Sequence, residues 1–313
     1  MKIKNFRLYV FLFVLILYFG SAGIFARDIL FYTWSDTHFG ACNNQNRLDV
    51  ITQMNKLPTM KYPEYYAASK SIGMPAFLIN LGDITESGTA IQWNDTNAPD
   101  FASYLQTIKN LMPGCPTYEA LGNHDSKKNN IVRQKVAEKF GKTYYSFDVN
   151  DVHFVVLDPY TAGLVAAPDL DANQLDWLEK DLAKLSKNTY IILAMHIQPD
   201  ANANTDRSSR LGEESAAKLA AILKNKNVLA IMHGHWHKLN AAVWNGIDVI
   251  SPAGYVYGIP GCSCANRHCS QVWGMIHITD TTITSLAYNW EFDRWETEKE
   301  IVLKKSLPEI KKN

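Results

Sequence analysis

Five short apolar runs, each closed by polar residues, organise most of the chain. Residues 29–34 run into Ser35-Asp36, residues 75–81 into Gly82-Asp83, and residues 116–121 into Gly122-Asn123-His124-Asp125. Residues 190–195 end at His196, and residues 228–232 at His233-Gly234-His235-Trp236-His237. Runs of this length fit strands buried on both faces. Helical periodicity lies between them. Asp171 opens a run that places Leu175, Leu178, Leu182 and Leu185 on one face, and Gln174 completes a capping-box-like start. Residues 131–140 and 215–223 also read as helices, while 144–149 and 152–157 flank Asn150-Asp151 as a hairpin. The last third turns β-rich, with strands expected at 249–250, 272–278, 281–288 and 298–302. Alternating β and α elements followed by hairpins predict an α/β fold with mixed sheets. No Pro/Ser-rich linker interrupts the pattern, so one domain over residues 27–313 is expected.

Composition changes this picture little. Of 313 residues, 47% are hydrophobic and 20% charged, which suits a globular chain able to bury its own core and argues against disorder. The N-terminus adds more. Lys2, Lys4 and Arg7 precede an apolar run over residues 8–19, then small residues at 20–23, then Ala26 before Arg27-Asp28. This is the layout of a secretory signal. Residues 1–26 are therefore expected to direct export, to a periplasm or the medium, with cleavage after Ala26. The uncharged stretch 8–26 approaches a membrane span in length, so an uncleaved anchor is the alternative; no other span is expected. The chain holds 31 basic and 31 acidic residues, three of the basic ones in that segment, so its removal leaves a net charge near −3. Such a surface carries no basic footprint for nucleic acid. Lys304, Lys305, Lys311 and Lys312 read as a solvated terminus. Of Cys42, Cys115, Cys262, Cys264 and Cys269, the last three are candidates for one local disulfide, and the odd total leaves at least one thiol free or paired between chains.

The candidate chemistry sits where the apolar runs end. In open α/β folds, sites gather at the C-terminal ends of strands. Asp36, His38, Asp83, Asn123, His124, His196, His235 and His237 can thus meet at one edge. Mixed imidazole and carboxylate donors suit Mn, Fe, Zn, Co or Ni better than Mg or Ca, which prefer all-oxygen shells. Two divalent ions would outweigh the charges of Asp36 and Asp83, leaving the positive excess an anionic phosphate needs. Such ions, ~3.5–4 Å apart, lower the pKa of a water between them and clamp the attacking and leaving oxygens. The two oxygens of Asp83 can span such a pair. Plainer readings exist for single members. Asp36 and Asp125 also suit turns, Asn123 a left-handed position after Gly122, and His196 a buried structural histidine. Asp125 is alternatively the residue that orients His124. His233 shares the parity of His235 and His237, but Gly234 can redirect the chain there, so His233 reads as structural. His153, His268 and His277 read as structural or surface.

Taken in order, Asp36-x-His38, Gly82-Asp83, Gly122-Asn123-His124-Asp125, His196 and Gly234-His235-x-His237 resemble the calcineurin-like metallophosphoesterase superfamily, over roughly residues 29–240. The resemblance implies a four-layer αββα sandwich, two mixed β-sheets face to face and flanked by helices. It implies that Asp36, His38, Asp83 and His237 hold one divalent ion. Asp83 would bridge to a second ion, completed by Asn123, His196 and His235. His124 would bind the substrate and protonate the leaving oxygen, with Asp125 beside it as a catalytic residue. Purple acid phosphatases of this superfamily carry a Tyr three residues after the bridging Asp. Glu86 stands there in this chain, so the resemblance is not expected to extend to that branch.

The implied function is hydrolysis of phosphate esters by metal-activated water, on a small phosphomonoester or phosphodiester. Nucleotide, cyclic-nucleotide and lipid-headgroup phosphodiesterases are alternatives. A catalytically inactive scaffold of the same fold is the alternative from another class, and the intact ligand set argues against it. Specificity is expected from the loops at 39–46, 86–100, 160–169, 198–210 and 255–269. There Trp34, Trp236, Tyr255 and Tyr257 are candidates to stack a ring, and Arg207 and Arg210 to reach a phosphate, although packing and solvated charge are the plainer readings. Asn94-Asp95-Thr96 is a glycosylation sequon.

Overall fold

The computed structural model describes residues 27–41, 45–86, 100–126, 131–161, 167–199, 207–254 and 271–307. Residues 1–26, where the export signal is expected, and Cys42, Cys262, Cys264, Cys269, Asn94, Tyr255, Tyr257, His268, Lys311 and Lys312 lie outside the described residues. The first half runs β1 (Asp28–Trp34), α1 (Gln45–Lys56), α2 (Glu64–Ala67), β2 (Leu78–Asn80), α3 (Asp100–Ile108), β3 (Thr117–Glu119), α4 (Ile131–Phe140), β4 (Tyr145–Val149) and β5 (Val152–Val156). There follow α5 (Ala172–Leu182), β6 (Tyr190–Ala194), α6 (Glu213–Leu223), β7 (Asn227–Met232), β8 (Asn240–Trp244), β9 (Ile247–Ser251), β10 (Val272–Thr279), β11 (Thr282–Asn289), β12 (Arg294–Trp295) and β13 (Lys304–Ser306). None of the described helices is long and apolar enough to cross a membrane.

The strands form two mixed sheets flanked by helices. One sheet has the order β12-β11-β10-β1-β2-β3, with β13 on β11, and the other β4-β5-β6-β7-β9-β8. Within the first, β1, β2 and β3 are parallel; within the second, β5, β6, β7 and β9 are parallel. Parallel strands send all their C-terminal ends to the same edge. The central strands alternate between two buried faces, as period-two geometry requires. Ile191 and Leu193 of β6 pack with Leu175, Leu178 and Leu182 of α5 and Leu219 and Leu223 of α6. Tyr190, Ile192 and Ala194 face the other way, into the core shared with the first sheet. The α5 start is the expected one: Asp171 Oδ1 accepts the Gln174 N–H at 2.9 Å, a cap that contributes about 1 kcal/mol.

Aromatic rings hold the sheets together. Phe31 of β1 stacks on Phe77 at 4.6 Å between centroids, and both meet Phe154 of β5 edge-on, at 5.4 and 5.0 Å. Phe147 of β4 stacks on Phe154 at 5.1 Å.

Some expected elements are shifted. The strand expected at 298–302 is a single 3-10 turn at Glu298–Glu300, and the pairing segment lies further on, in β13. Buried Leu303 and Leu307 bracket β13 and place Lys304 and Lys305 in the sheet rather than in a solvated tail. Lys305 Nζ reaches Asp248 at 2.9 Å. Cys115 is free and half-buried, and burial raises its thiol to about 11.

Phe77 has no exposed surface and touches rings from both sheets. Phe77→Ala is expected to lower stability by about 3–5 kcal/mol, read as a fall in the urea midpoint with an unchanged slope.

Candidate metal centre

The segments that follow β1, β2, β3, β6 and β7 meet at one edge of the sandwich, and the backbone bends sharply within them. Asp36, His38, Asp83, His235 and His237 adopt left-handed φ values of 50°, 41°, 50°, 66° and 55°. A non-glycine residue held there costs roughly 1–3 kcal/mol. Backbone bonds between neighbouring segments keep them in place. Asp36 N–H donates to Gly82 O at 3.0 Å, His38 N–H to Asp83 O at 2.9 Å, and Gly234 N–H to His196 O at 3.0 Å. Two glycines make the approach close. A Cβ on Gly122 would stand 2.1 Å from Asp83 Oδ1, and one on Gly234 2.0 Å from Ser35 Oγ and 2.9 Å from Asp36 Oδ2. Only glycine leaves room for these carboxylates.

Three groups of donors result: Asp83 belongs to two of them, and the third joins His38, Glu86 and His124. Asp36, His38, Asp83 and His237 each bring one donor atom within 4.8 Å of the others, as do Asp83, His196 and His235. Asp83 Oδ2 lies 3.7 Å from His38 Nε2 and 3.3 Å from His196 Nε2. Its Oδ1 accepts the backbone N–H of His124 at 2.8 Å. Asp83 Oδ2 thus faces a histidine of each of its two groups, while Oδ1 holds the His124 amide. Asp36 Oδ1 is 3.2 Å from His237 Nε2. Asn123 Oδ1 adjoins the second group, 3.0 Å from His235 Nδ1.

The electrostatics explain why these groups belong together. Asp36 has no exposed surface and Asp83 only 2%. Burial disfavours the Asp36 carboxylate, but His237 and His196 outweigh it and hold it down at about 2. Burial likewise opposes Asp83, and His196 and His38 keep it well below the usual carboxylate range. Burial pushes His196 down, yet Asp83 and Asp36 overcome this and raise it to about 9. Burial dominates at His38 and His235, lowering both, His235 to about 4. Two buried anions, beside imidazoles of which burial disfavours the charged form at His38 and His235, suit bound cations. His196 Nε2 is buried and has no hydrogen-bond partner. That orphaned nitrogen, and the mixed oxygen and nitrogen donors, fit a dinuclear divalent site.

The structure corrects several finer expectations. Asp125 does not orient His124. Its carboxylate accepts from the N–H groups of Ile84, Thr85 and Gly122 at 2.9, 2.9 and 3.1 Å. It stitches the β2 and β3 loops together, and burial with the Asp83 charge raises it to about 6. His124 is oriented by Glu86 instead. His124 Nδ1 donates to the Glu86 carbonyl at 2.7 Å, and the Glu86 carboxylate reaches His38 Nδ1 at 2.7 Å. In the sequence Glu86 stood out only as a departure from the purple acid phosphatase pattern, and its place three residues past Asp83 was the signal for this role. Arg207 donates to the carbonyls of Pro168 and Arg210 at 2.7 and 2.6 Å, so it clamps a loop. Trp34 is buried against Phe39 and Tyr104 and offers no face for stacking. His233 lies outside these donor groups, with Nδ1 2.9 Å from Gly234 O. His153 bridges Asp148 and Asp181, and His277 joins Asp28 to Tyr66, both apart from these donors.

Comparison with known proteins agrees with this geometry. The family model described as calcineurin-like phosphoesterase matches residues 31–239, and the chain belongs to that family of metal-dependent phosphoester hydrolases. Purple acid phosphatase 22 of Arabidopsis thaliana is 26% identical over 163 residues, 47% of this chain and 36% of that protein. A probable glycerophosphodiester phosphodiesterase, GpdQ, of Arcobacter nitrofigilis is 26% identical over 192 residues, 57% of this chain and 63% of that protein. The chain thus spans between about a third and two thirds of the length of these relatives. A purple acid phosphatase and a phosphodiesterase are matched at the same identity, while Glu86 stands three residues after Asp83. A solved dimetal phosphatase from Danio rerio shares the fold, with a TM-score of 0.59 at 13% identity over 84% of this chain and 96% of that one.

The elevated His196 gives the metal-free protein a pH signature. A folded-state value of about 9, above the ordinary 6.5, means a stabilising contribution fully present below pH 6.5. That contribution is lost as pH rises through 9. Metal-free protein is expected to melt progressively lower over this window, and His196→Asn to abolish that slope in a thermal scan.

Proposed function

We propose that the chain hydrolyses small phosphate esters, monoesters or diesters, with two divalent ions held by the side chains gathered at the sheet edges. The observation that carries this reading is the pair of donor groups, drawn from both sheets, that share the buried Asp83. Asp36, His38, Asp83 and His237 would hold one ion, and Asp83, Asn123, His196 and His235 the other. Their nitrogen and oxygen donors favour Mn, Fe, Zn, Co or Ni. When bound, such ions supply charge to receive the phosphate and lower the pKa of the attacking water.

The chain's own residues do the rest. A carbonyl oxygen only accepts, so the bond to Glu86 O places a proton on His124 Nδ1. The half-buried ring then keeps Nε2 for the substrate. A second proton carried there passes to the leaving oxygen as the ester bond breaks. Asp125 acts indirectly, by fixing the loops that carry Asp83 and His124.

Metal-stripped protein reconstituted with Mn or Zn is expected to hydrolyse bis(p-nitrophenyl) phosphate or p-nitrophenyl phosphate, with Asp83→Asn inactive. The preferred substrate sorts diesterase from monoesterase. His124→Ala is expected to retain metal and lose ~10²-fold or more in turnover. A protein that binds two ions yet turns over no phosphate ester would support the inactive-scaffold reading instead.

Export belongs to the same reading and rests on the charged and apolar layout of residues 1–26. N-terminal sequencing of protein recovered outside the cytoplasm is expected to begin at Arg27. Recovery only in the cytoplasm with Met1 retained overturns export.

A further inference from the structure

We propose that Ser209 is a positioning residue that fixes the ring of His235 and thereby sets the affinity of the second metal position. This rests on the dinuclear reading above. Ser209 Oγ lies 3.1 Å from His235 Nε2. Ser209 is 8% exposed and closes the 3-10 turn Arg207–Ser209. On the opposite side of the ring, Nδ1 faces Asn123 Oδ1 at 3.0 Å.

A neutral imidazole has one N–H and one lone pair. Asn123 Oδ1 only accepts, so without an ion the proton sits on Nδ1 and the Ser209 hydroxyl donates to Nε2. When Nδ1 gives its lone pair to an ion, the proton sits on Nε2 and Ser209 Oγ accepts it. Ser209 therefore keeps Nε2 paired in either tautomer and holds the ring with Nδ1 facing Asn123. Without the hydroxyl, the Nε2–H of the metal-bound tautomer loses its acceptor, and the ring loses the contact that holds Nδ1 toward the ion. Ligating histidines generally depend on such a partner at the far nitrogen.

The turn that carries Ser209 is itself fixed. The Arg207 guanidinium donates to Pro168 O and Arg210 O and faces Asp169 Oδ2 at 3.4 Å. Leu211 N–H donates to Gln198 O at 3.1 Å, two residues past His196. The hydroxyl is thereby tied to the segment that leaves His196, so two ligands from different strands keep a constant separation.

The test is metal stoichiometry and affinity by calorimetry and elemental analysis, using zinc. The parent is expected to bind two equivalents. Ser209→Ala is expected to weaken one of them by about 10- to 100-fold and to leave the other unchanged. Ser209→Thr, which keeps the hydroxyl, is expected to restore it. Two equivalents bound by Ser209→Ala as tightly as by the parent overturn the proposal, as does a Thr variant no better than Ala. Loss of both equivalents together, with a lowered metal-free melting temperature, marks a merely structural role and also overturns it. Independently of any variant, nitrogen-15 spectra of the zinc-loaded parent are expected to show His235 protonated at Nε2, and protonation at Nδ1 would refute the assignment. A parent that binds fewer than two equivalents overturns the dinuclear reading itself, a different failure.

Discussion

The structure turns on one constraint: two carboxylates, Asp36 and Asp83, are enclosed almost without solvent where two sheets meet. An unpaired anion in such a place would cost several kcal/mol. The chain meets the requirement by gathering imidazoles around both groups, from segments that share no secondary structure. Each segment must bend sharply to reach the junction. Five residues there occupy left-handed backbone, and glycines stand where a side chain would strike a carboxylate. Strain of this kind, roughly 1–3 kcal/mol per residue, persists only where the surroundings over-determine it. The cross-segment backbone bonds and the Asp125 carboxylate, which accepts amide protons from two loops, do that here.

The sandwich supplies the edge on which this happens. Because β1–β3 and β5–β7 run parallel within their own sheets, each sheet delivers several strand ends to one side. The stacked Phe31, Phe77, Phe147 and Phe154 lock the sheets face to face. A hydrophobic contact far from the chemistry thereby sets the distance between Asp83 on one sheet and His196 on the other. Burial drives the assembly, and the charged centre is placed by it.

The apolar runs and their polar closures were readable in one dimension, because strand burial and strand-end chemistry are both local patterns. The α5 start was readable for the same reason, since Asp171 and Gln174 lie three residues apart. The strand near the C-terminus was misplaced, since the choice of Lys304–Ser306 over the residues before it depends on Leu303 and Leu307 finding a core. The roles of Asp125, Glu86 and Ser209 were hidden for a related reason. Asp125 follows His124 in the chain but points its carboxylate at the β2 loop. Glu86 and Ser209 come to the histidines from other loops, and only the folded backbone brings them there. Direct ligands announce themselves by residue type at strand ends; the side chains that orient those ligands have no such signature.

Those orienting contacts close on themselves. Asp83 Oδ1 holds the His124 amide, the His124 ring donates to the Glu86 carbonyl, and the Glu86 carboxylate holds His38 Nδ1. His38 Nε2 then returns to within 3.7 Å of Asp83 Oδ2. The residue proposed as proton donor is thus mechanically continuous with residues proposed to hold the ions. A displacement of any member is felt by the others, because a closed ring of short contacts in a buried site has little freedom to relax. This accounts for the division of labour at Asp83: one oxygen faces both of its donor groups, and the other fixes the histidine that would complete the reaction. It also explains why a tyrosine need not stand at position 86. A carboxylate there can grip the far nitrogen of His38 while its own backbone sets the ring of His124, which binds the two histidines into one support.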